Sequence, residues 1–338
     1  MQNAKKLTQE EHIVFADMLA KRALQLYDLS PSSYIRLLNY SENTTFAVVD
    51  PERKTRTVLR INRPGYHTKE ELEAELMWLE SIMINSPIIV PKPIAGKNKK
   101  FVQTLKNDRY SYPLHCVMFS FLQGSAPDDK DEKNLIFQFE RLGEVTALLH
   151  EQVNNWEYSR SICRATWDYD TMLGNRPRWG HWQDRYDVTS GLAQLFQRAS
   201  DTISLRLGRF GKSPERFGLI HADLRLANLL VEEKKIKVID FDDCGFGWFL
   251  YDLGAAVSFI EHKEYVPDLV ASWLQGYRKV RSLSKEEESE IPTFIMLRRL
   301  LLLAWLGTRH DSDTAKEFGT EFTEKTAELA EKYLLTFA

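Results

Sequence analysis

Two short apolar runs, Leu229-Leu230-Val231 and Ile236-Lys237-Val238-Ile239, flank the charged stretch Glu232-Glu233-Lys234-Lys235. Runs of this kind around a polar turn pair as an antiparallel hairpin. With 232–235 as the turn, Val231 faces Ile236 and Leu229 faces Val238. Asn228 then lies opposite Ile239 and next to Asp240. Paired strands are ~4.8 Å apart, so Asn228 and Asp240 can share a ligand although they are distant in sequence. Asp223 sits on the segment that enters the hairpin. One end of the hairpin therefore gathers a carboxylate, an amide oxygen and a second carboxylate. Mg²⁺ suits such a set, because it takes a few protein oxygens and the rest from phosphates and water. Transfer of a phosphoryl group also needs a carboxylate beside the acceptor hydroxyl, to orient it and receive its proton.

The 338 residues suit two lobes better than one core. A helical pattern covers 7–28. The period then changes, and Tyr34–Tyr40, Thr44–Asp50 and Thr55–Ile61 read as strands rich in β-branched and aromatic residues. A helix at 68–84 carries Leu72, Leu76, Leu79 and Met83 on one stripe, and Asn85-Ser86-Pro87 stops it. Phe101–Leu105 and Pro113–Phe121 complete a five-stranded antiparallel sheet with one helix packed on it. Beyond Gln123-Gly124 the pattern is mainly helical, opening with 134–153 and interrupted by the hairpin at 229–239. The expected fold is α+β, with an N-lobe at 1–121 and a C-lobe at 122–338.

His221-x-Asp223-x-x-x-x-Asn228, a short hairpin and then Ile239-Asp240-Phe241-Asp242 resemble the signature of the aminoglycoside phosphotransferase and choline kinase-like superfamily, relatives of the protein kinases. The wording HADLRLANLLV followed by VIDFDDCGFGWFLYDL looks most like the bacterial homoserine kinase type II branch. The strand–helix order of 34–121 also fits the kinase N-lobe, so the resemblance spans nearly the whole chain. It implies a two-lobed protein-kinase-like fold and an ATP- and Mg²⁺-dependent transfer to a hydroxyl.

Carried over residue by residue, the resemblance makes Asp223 the catalytic base. It makes Asn228 and Asp240 the Mg²⁺ ligands, with Asp242 as an additional metal contact. His221 braces the loop, and Asp252 hydrogen-bonds it from the next helix. Arg225 matches the catalytic-loop lysine of protein kinases, from where a cation could meet the γ-phosphate; the plainer reading is a surface arginine. Arg60, in Val58-Leu59-Arg60-Ile61, takes the place of the lysine that contacts the α- and β-phosphates. An arginine gives a fixed fork where a lysine gives a point charge. Its helix partner is Glu75 or, one turn earlier, Glu71. The phosphate-covering loop is Tyr40–Thr45, which contains no glycine; Ser41 and Thr44 offer hydroxyls there. The adenine edge is expected against backbone at Phe119-Ser120-Phe121.

The acceptor is less constrained. Trp167–Arg185 packs Trp167, Trp179, Trp182, Arg176, Arg178 and Arg185 around Gly174, Pro177 and Gly180. Loops with aromatics and arginines are often recognition surfaces, which makes Arg176, Arg178, Trp179 and Trp182 candidates for the acceptor pocket. The alternative is a structural insert whose tryptophans fill the C-lobe. Arg298 and Arg299, inside the apolar run Phe294–Leu306, need a carboxylate or a cleft, because an unpaired buried charge is costly. Homoserine or a related amino alcohol is the favoured acceptor. Aminoglycosides, choline, hydroxylysine-like molecules and protein serine or threonine are the rivals, and a non-catalytic nucleotide-binding relative is the alternative of another class.

Other signals fail. There is no GxxxxGK[ST], Gly245-Phe246-Gly247 lacks a third glycine, and His150-Glu151 is followed by Asn154 where a zincin needs histidine. A net charge of −3 gives no support for a nucleic-acid partner. Three scattered cysteines without a CxxC pair, and an N-terminus without an apolar h-region, point to a cytoplasmic protein. The run Phe294–Leu306 reads as a buried helix, too short to cross a bilayer. Oligomeric state has no sequence signature here.

Overall fold

The computed structural model describes residues 9–40, 43–107, 113–310 and 312–337. The chain divides into two compact units, Met1–Ile84 with Val90–Gln123, and Asn85–Ile89 with Gly124–Ala338.

In sequence order, the elements through Ser120 are α1 (Gln9–Leu24), β1 (Tyr34–Tyr40), β2 (Thr44–Asp50), β3 (Thr55–Ile61), α2 (Lys69–Asn85), β4 (Pro93–Ile94), β5 (Gln103–Leu105) and β6 (Leu114–Ser120). The strands pair antiparallel in the order β1-β2-β3-β6-β4, with β5 also on β6. The sheet thus has six strands where the sequence suggests five. The additional one, β4, has two residues and no period to read. Side chains alternate between the faces of a strand. Phe46, Val48, Leu59, Ile61, Leu114, Cys116 and Met118 point to one face, and α1 covers them with Ala16, Leu19, Ala20 and Ala23, the i, i+3, i+4, i+7 stripe of an amphipathic helix. Arg60 lies between Leu59 and Ile61, so it projects to the other face, toward α2.

The second unit contains α3 (Glu132–Asn154), β7 (Thr166–Trp167), α4 (Tyr169–Met172), α5 (Ser190–Phe210), β8 (Phe217–Ile220), β9 (Leu229–Glu232), β10 (Lys235–Val238), β11 (Gly245–Trp248), α6 (Tyr251–Ala256), α7 (Val266–Tyr277), α8 (Lys285–Ser289), α9 (Ile291–Thr308), α10 (Asp313–Phe318) and α11 (Glu321–Phe337). The hairpin β9–β10 has the expected register, with Val231 opposite Ile236 and Leu229 opposite Val238. β11 lies between β7 and β8, parallel to the first and antiparallel to the second. Strands of two to four residues carry too little pattern for the sequence to reveal this small sheet.

Helix α9 is apolar on every side because every side is packed. By length and composition its 18 residues could cross a membrane, contrary to the sequence expectation, yet 72% of the helix is buried inside the fold. Arg298 and Arg299 are each 1% exposed within it. Arg299 donates from Nη1 to Glu261 Oε2 at 2.6 Å, from Nε to Thr326 Oγ1 at 2.8 Å and from Nη2 to the Phe322 carbonyl at 2.9 Å, tying α9 to α11.

Helices α3 and α7 touch backbone to backbone through two glycines. A Cβ on Gly143 would stand 2.0 Å from the Trp273 carbonyl oxygen, and one on Gly276 would stand 1.7 Å from that of Glu140. This approach lets His150 of α3 reach Tyr277 of α7, with Nδ1 2.9 Å from the hydroxyl. Alanine is worth about 1 kcal/mol over glycine inside an ordinary helix. Gly276→Ala should nevertheless lower stability by about 1–3 kcal/mol, because overpacking outweighs propensity. Urea unfolding midpoints measure this, and a stabilised variant would contradict the contact.

Candidate active site

In the first unit, Arg60 and Glu75 are 5% and 0% exposed. They meet as a two-pronged ion pair, Nη1 to Oε1 at 2.9 Å and Nη2 to Oε2 at 2.7 Å. The guanidinium carbon lies 5.2 Å from the Phe119 ring centre. Glu71 has a different task. Its Oε2 accepts from the Thr68 N–H at 2.8 Å while its own N–H donates to Thr68 Oγ1 at 3.2 Å, closing a capping box on α2. Of the two candidates, Glu75 is therefore the partner of Arg60. Thr44 is buried at the start of β2, opposite Ile61. Ser120 is bound to Lys92, its Oγ accepting from the Lys92 N–H at 2.9 Å and its N–H donating to the Lys92 carbonyl at 2.8 Å. Ser41 lies outside the described residues.

In the second unit, β8 runs into a loop that the sequence could hardly hold unaided. Ala222 has φ +67°, a left-handed conformation that is uncommon for a residue with a side chain. Asp252, at the start of α6, offsets the cost. Its Oδ1 accepts from the Ala222 N–H at 2.7 Å and its Oδ2 from the His221 N–H at 3.1 Å. His150 Nε2 lies 3.1 Å from the same Oδ2. Burial pushes His150 below the ordinary histidine value against the pull of Asp252, so the neutral ring is favoured.

His221 connects the loop to the hairpin. The Asp223 N–H donates to His221 Nδ1 at 3.2 Å, which leaves Nε2 to carry the ring proton and donate to the Ile239 carbonyl at 3.1 Å. The Ile239 N–H in turn donates to the Asn228 carbonyl at 3.0 Å. The end of β9 is thereby held against the residue that precedes Asp240.

The side chains of Asp223 and Asn228 are in direct contact. Asn228 Nδ2 donates to Asp223 Oδ2 at 2.7 Å and to the Asp223 carbonyl at 2.9 Å. Arg225 Nε donates to Oδ2 at 3.2 Å. Arg298 Nη2 donates to Oδ1 from the interior. Burial pushes the Asp223 carboxyl up, but the charges of Arg298 and Arg225 outweigh it and hold the group below the usual carboxylate range. Burial also opposes the charge on Arg298, and Tyr251 and Asp223 more than restore it. The Tyr251 hydroxyl is pushed up to about 12 by its own burial, so it stays neutral.

Sequence reasoning anticipated that Arg298 needs a carboxylate but could not name it, because the partner lies far away in the chain. Arg164 was missed altogether. Its Nε donates to the Cys244 carbonyl at 2.6 Å and its Nη2 to the Asp242 carbonyl, so it pins the strip after Asp240.

The donors fit a magnesium ion better than a metal held wholly by protein. Among the described residues no group of three or more His, Cys, Asp or Glu side chains could hold an ion. Asn228 spends its amide N–H on Asp223, so its Oδ1 is the atom that would meet a metal. Asp240 is exposed, with φ +62°, and Asp242 is buried at 4% exposure. Few protein oxygens, with room for phosphate and water, match the habit of Mg²⁺.

The tryptophan-rich insert is packed inward. Trp182 is 2% exposed against Phe196, and Trp179 is 5% exposed, its ring T-shaped to Trp167. Trp167 Nε1 donates to the Asp243 carbonyl at 2.7 Å. These rings are packed into the second unit, as the structural alternative raised by the sequence expects. Arg176 is 78% exposed and paired with Asp170 at 2.7 Å, and Arg178 lies over Trp167 at 5.2 Å.

The pairing in the first unit can be tested directly. Glu75→Ala leaves Arg60 charged and buried, so it should cost about 3–5 kcal/mol of unfolding free energy. Glu71→Ala removes a cap and should cost about 1 kcal/mol at most. Equal losses in denaturant titrations would contradict this assignment.

Comparison with known proteins agrees with this geometry. The model of the APH phosphotransferase enzyme family matches residues 35–283. A solved microcompartment-associated aminopropanol kinase is 40% identical, with a TM-score of 0.86 over 94% of this chain and 98% of that one. The amicoumacin kinase of Bacillus subtilis (strain 168) is 26% identical over 93% of this chain and 89% of its own length. A solved amicoumacin kinase, in complex with AMP-PNP, Ca²⁺ and Ami, is 21% identical and shares the fold, with a TM-score of 0.76 over 95% of each chain. The chain belongs to the phosphotransferase enzyme family and is a kinase that acts on hydroxyl groups of small molecules.

Proposed function

We propose that this kinase transfers the γ-phosphoryl group of ATP, with Mg²⁺, to the hydroxyl of a small amino alcohol of the aminopropanol class. One observation carries the assignment of roles. Asp223 is held at the mouth of the hairpin by Asn228, Arg225 and Arg298, and Asp240 follows Ile239, whose N–H is bonded to the Asn228 carbonyl. Asp223 accepts the hydroxyl proton as the oxygen–phosphorus bond forms. Asn228 and Asp240 hold the metal, with Asp242 as the additional carboxylate. The metal, when bound, neutralises charge on the phosphates. Arg225, 34% exposed, is placed to turn from Asp223 to the transferring group. His221 and Asp252 brace the loop.

In the first unit, the Arg60–Glu75 fork sets a guanidinium for the α- and β-phosphates. Thr44, at the start of β2, and Ser41, outside the described residues, belong to the segment expected to cover them, and the β6 backbone around Ser120 is the expected contact of adenine. The AMP-PNP and Ca²⁺ of the solved amicoumacin kinase support a nucleoside triphosphate with a divalent ion.

The acceptor class rests on the likeness to the aminopropanol kinase across nearly the whole chain. Homoserine, which the sequence wording favours, also carries a carboxylate and would need a cation to meet it. Arg176 is committed to Asp170 at the surface, and Arg178 lies against Trp167. That arrangement favours an amino alcohol without a carboxylate.

A panel of aminopropanol, ethanolamine, choline, homoserine and an aminoglycoside, each with Mg-ATP and ADP release as the readout, tests this. Aminopropanol should give the highest kcat/KM, and turnover of homoserine or an aminoglycoside in its place would overturn the acceptor class. Asp223→Asn should lower kcat by about 10²–10⁴-fold, and it should also lower stability, because the buried Arg298 loses its carboxylate. A near-normal rate would remove Asp223 from the role of base.

A further inference from the structure

Neutralising a buried carboxylate calls for charge alone, and Arg225 already brings one to Asp223. Arg298 does more. It is 1% exposed, and all three nitrogens of its guanidinium are engaged. Nη2 bonds Asp223 Oδ1, Nη1 bonds the Tyr251 hydroxyl at 3.1 Å and the Ala222 carbonyl at 3.3 Å, and Nε bonds Ser258 Oγ at 2.9 Å. The Trp179 ring centre lies 5.3 Å from its guanidinium carbon. The same cation thus grips both the carboxylate and the carbonyl of the left-handed residue just before it.

The two oxygens of Asp223 are consequently unlike. Oδ1 is fixed from the interior. Oδ2 is met instead by the buried Asn228 and by Arg225, whose side chain is 34% exposed. The terminal torsion of an aspartate is broad, so nothing within the side chain itself keeps one oxygen pointed outward. An external clamp is needed, and a planar fork anchored at three further points supplies it.

We infer that Arg298 is a positioning residue for phosphoryl transfer: it locks Asp223 by Oδ1 and so aims Oδ2 at the acceptor hydroxyl. The inference rests on Asp223 being the base. In the step it serves, the hydroxyl oxygen bonds the γ-phosphorus, the bond from that phosphorus to the bridging oxygen of ADP breaks, and the proton passes to Oδ2.

The test uses the full chain with Mg-ATP and aminopropanol, in a cycle of Arg298→Met, Arg298→Lys and Asp223→Asn. A base misplaced by about 1 Å costs about 10²-fold, so Arg298→Met should lower kcat by about that factor, with KM for ATP unchanged within about two-fold. Arg298→Lys restores charge without the fork and should recover about a tenth of the wild-type rate. In the Asp223→Asn background, Arg298→Met should change kcat less than about two-fold, because residues that act as a unit are non-additive. The same loss in both backgrounds would mean a general structural role and overturn the inference.

If Arg298→Met fails to fold, Ser258→Ala and Tyr251→Phe each remove one anchor of the fork. Each should then lower kcat by about five-fold in the wild type and leave the Asp223→Asn rate unchanged; wild-type rates in both would overturn the inference. A slow Asp223→Asn together with a fast Arg298→Met removes only the positioning role. A fast Asp223→Asn removes the base itself.

Discussion

The second unit depends on the carboxylate of Asp252. It is 0% exposed, and a charge so placed persists only where donors surround it. Two of those donors are consecutive backbone N–H groups, those of His221 and Ala222, and a third group, the His150 ring, packs against it from α3. Together they fix a chain reversal that alanine would not choose unaided, and the reversal sets where Asp223 can point. Helices far apart in sequence thus converge on one short loop before any substrate arrives.

The same economy of charge recurs through the molecule. Among the described residues five arginines are buried, and four of them, Arg60, Arg185, Arg298 and Arg299, each have a carboxylate: Glu75, Asp187, Asp223 and Glu261. Removing ions from water is costly enough that such pairs contribute little net stability. Their value is geometric, because a two-pronged or multiply anchored guanidinium tolerates few arrangements. Two of the four pairs involve residues whose proposed work is on phosphate or the acceptor. Arg185 and Arg299, which both bind α11, are architectural.

Much of the fold was legible because it rests on period. The alternation in 44–61 separates Arg60 from Leu59 and Ile61, and the four-residue charged turn fixes the register of β9 and β10. What could not be read lacked either length or proximity. Strands β4 and β7 have two residues each, too few for a pattern. The contact between Arg298 and Asp223 spans 75 residues, and only the cost of a buried charge hinted that some such partner must exist. The insert carries two readings for a related reason. Tryptophan and arginine beside glycine and proline look alike in a binding loop and in a packed one, and only burial separates the two.

Adjacent positions in α9 face different partners. Arg298 turns to the loop that carries Asp223, and Arg299 to Glu261 and α11. Each residue of an α-helix advances the direction by about 100°. One residue gained or lost ahead of this pair would swing both guanidinium groups away from their carboxylates at once. The connections on either side of α9 can therefore change length at little cost, while the helix itself is held to a fixed count like the teeth of a gear.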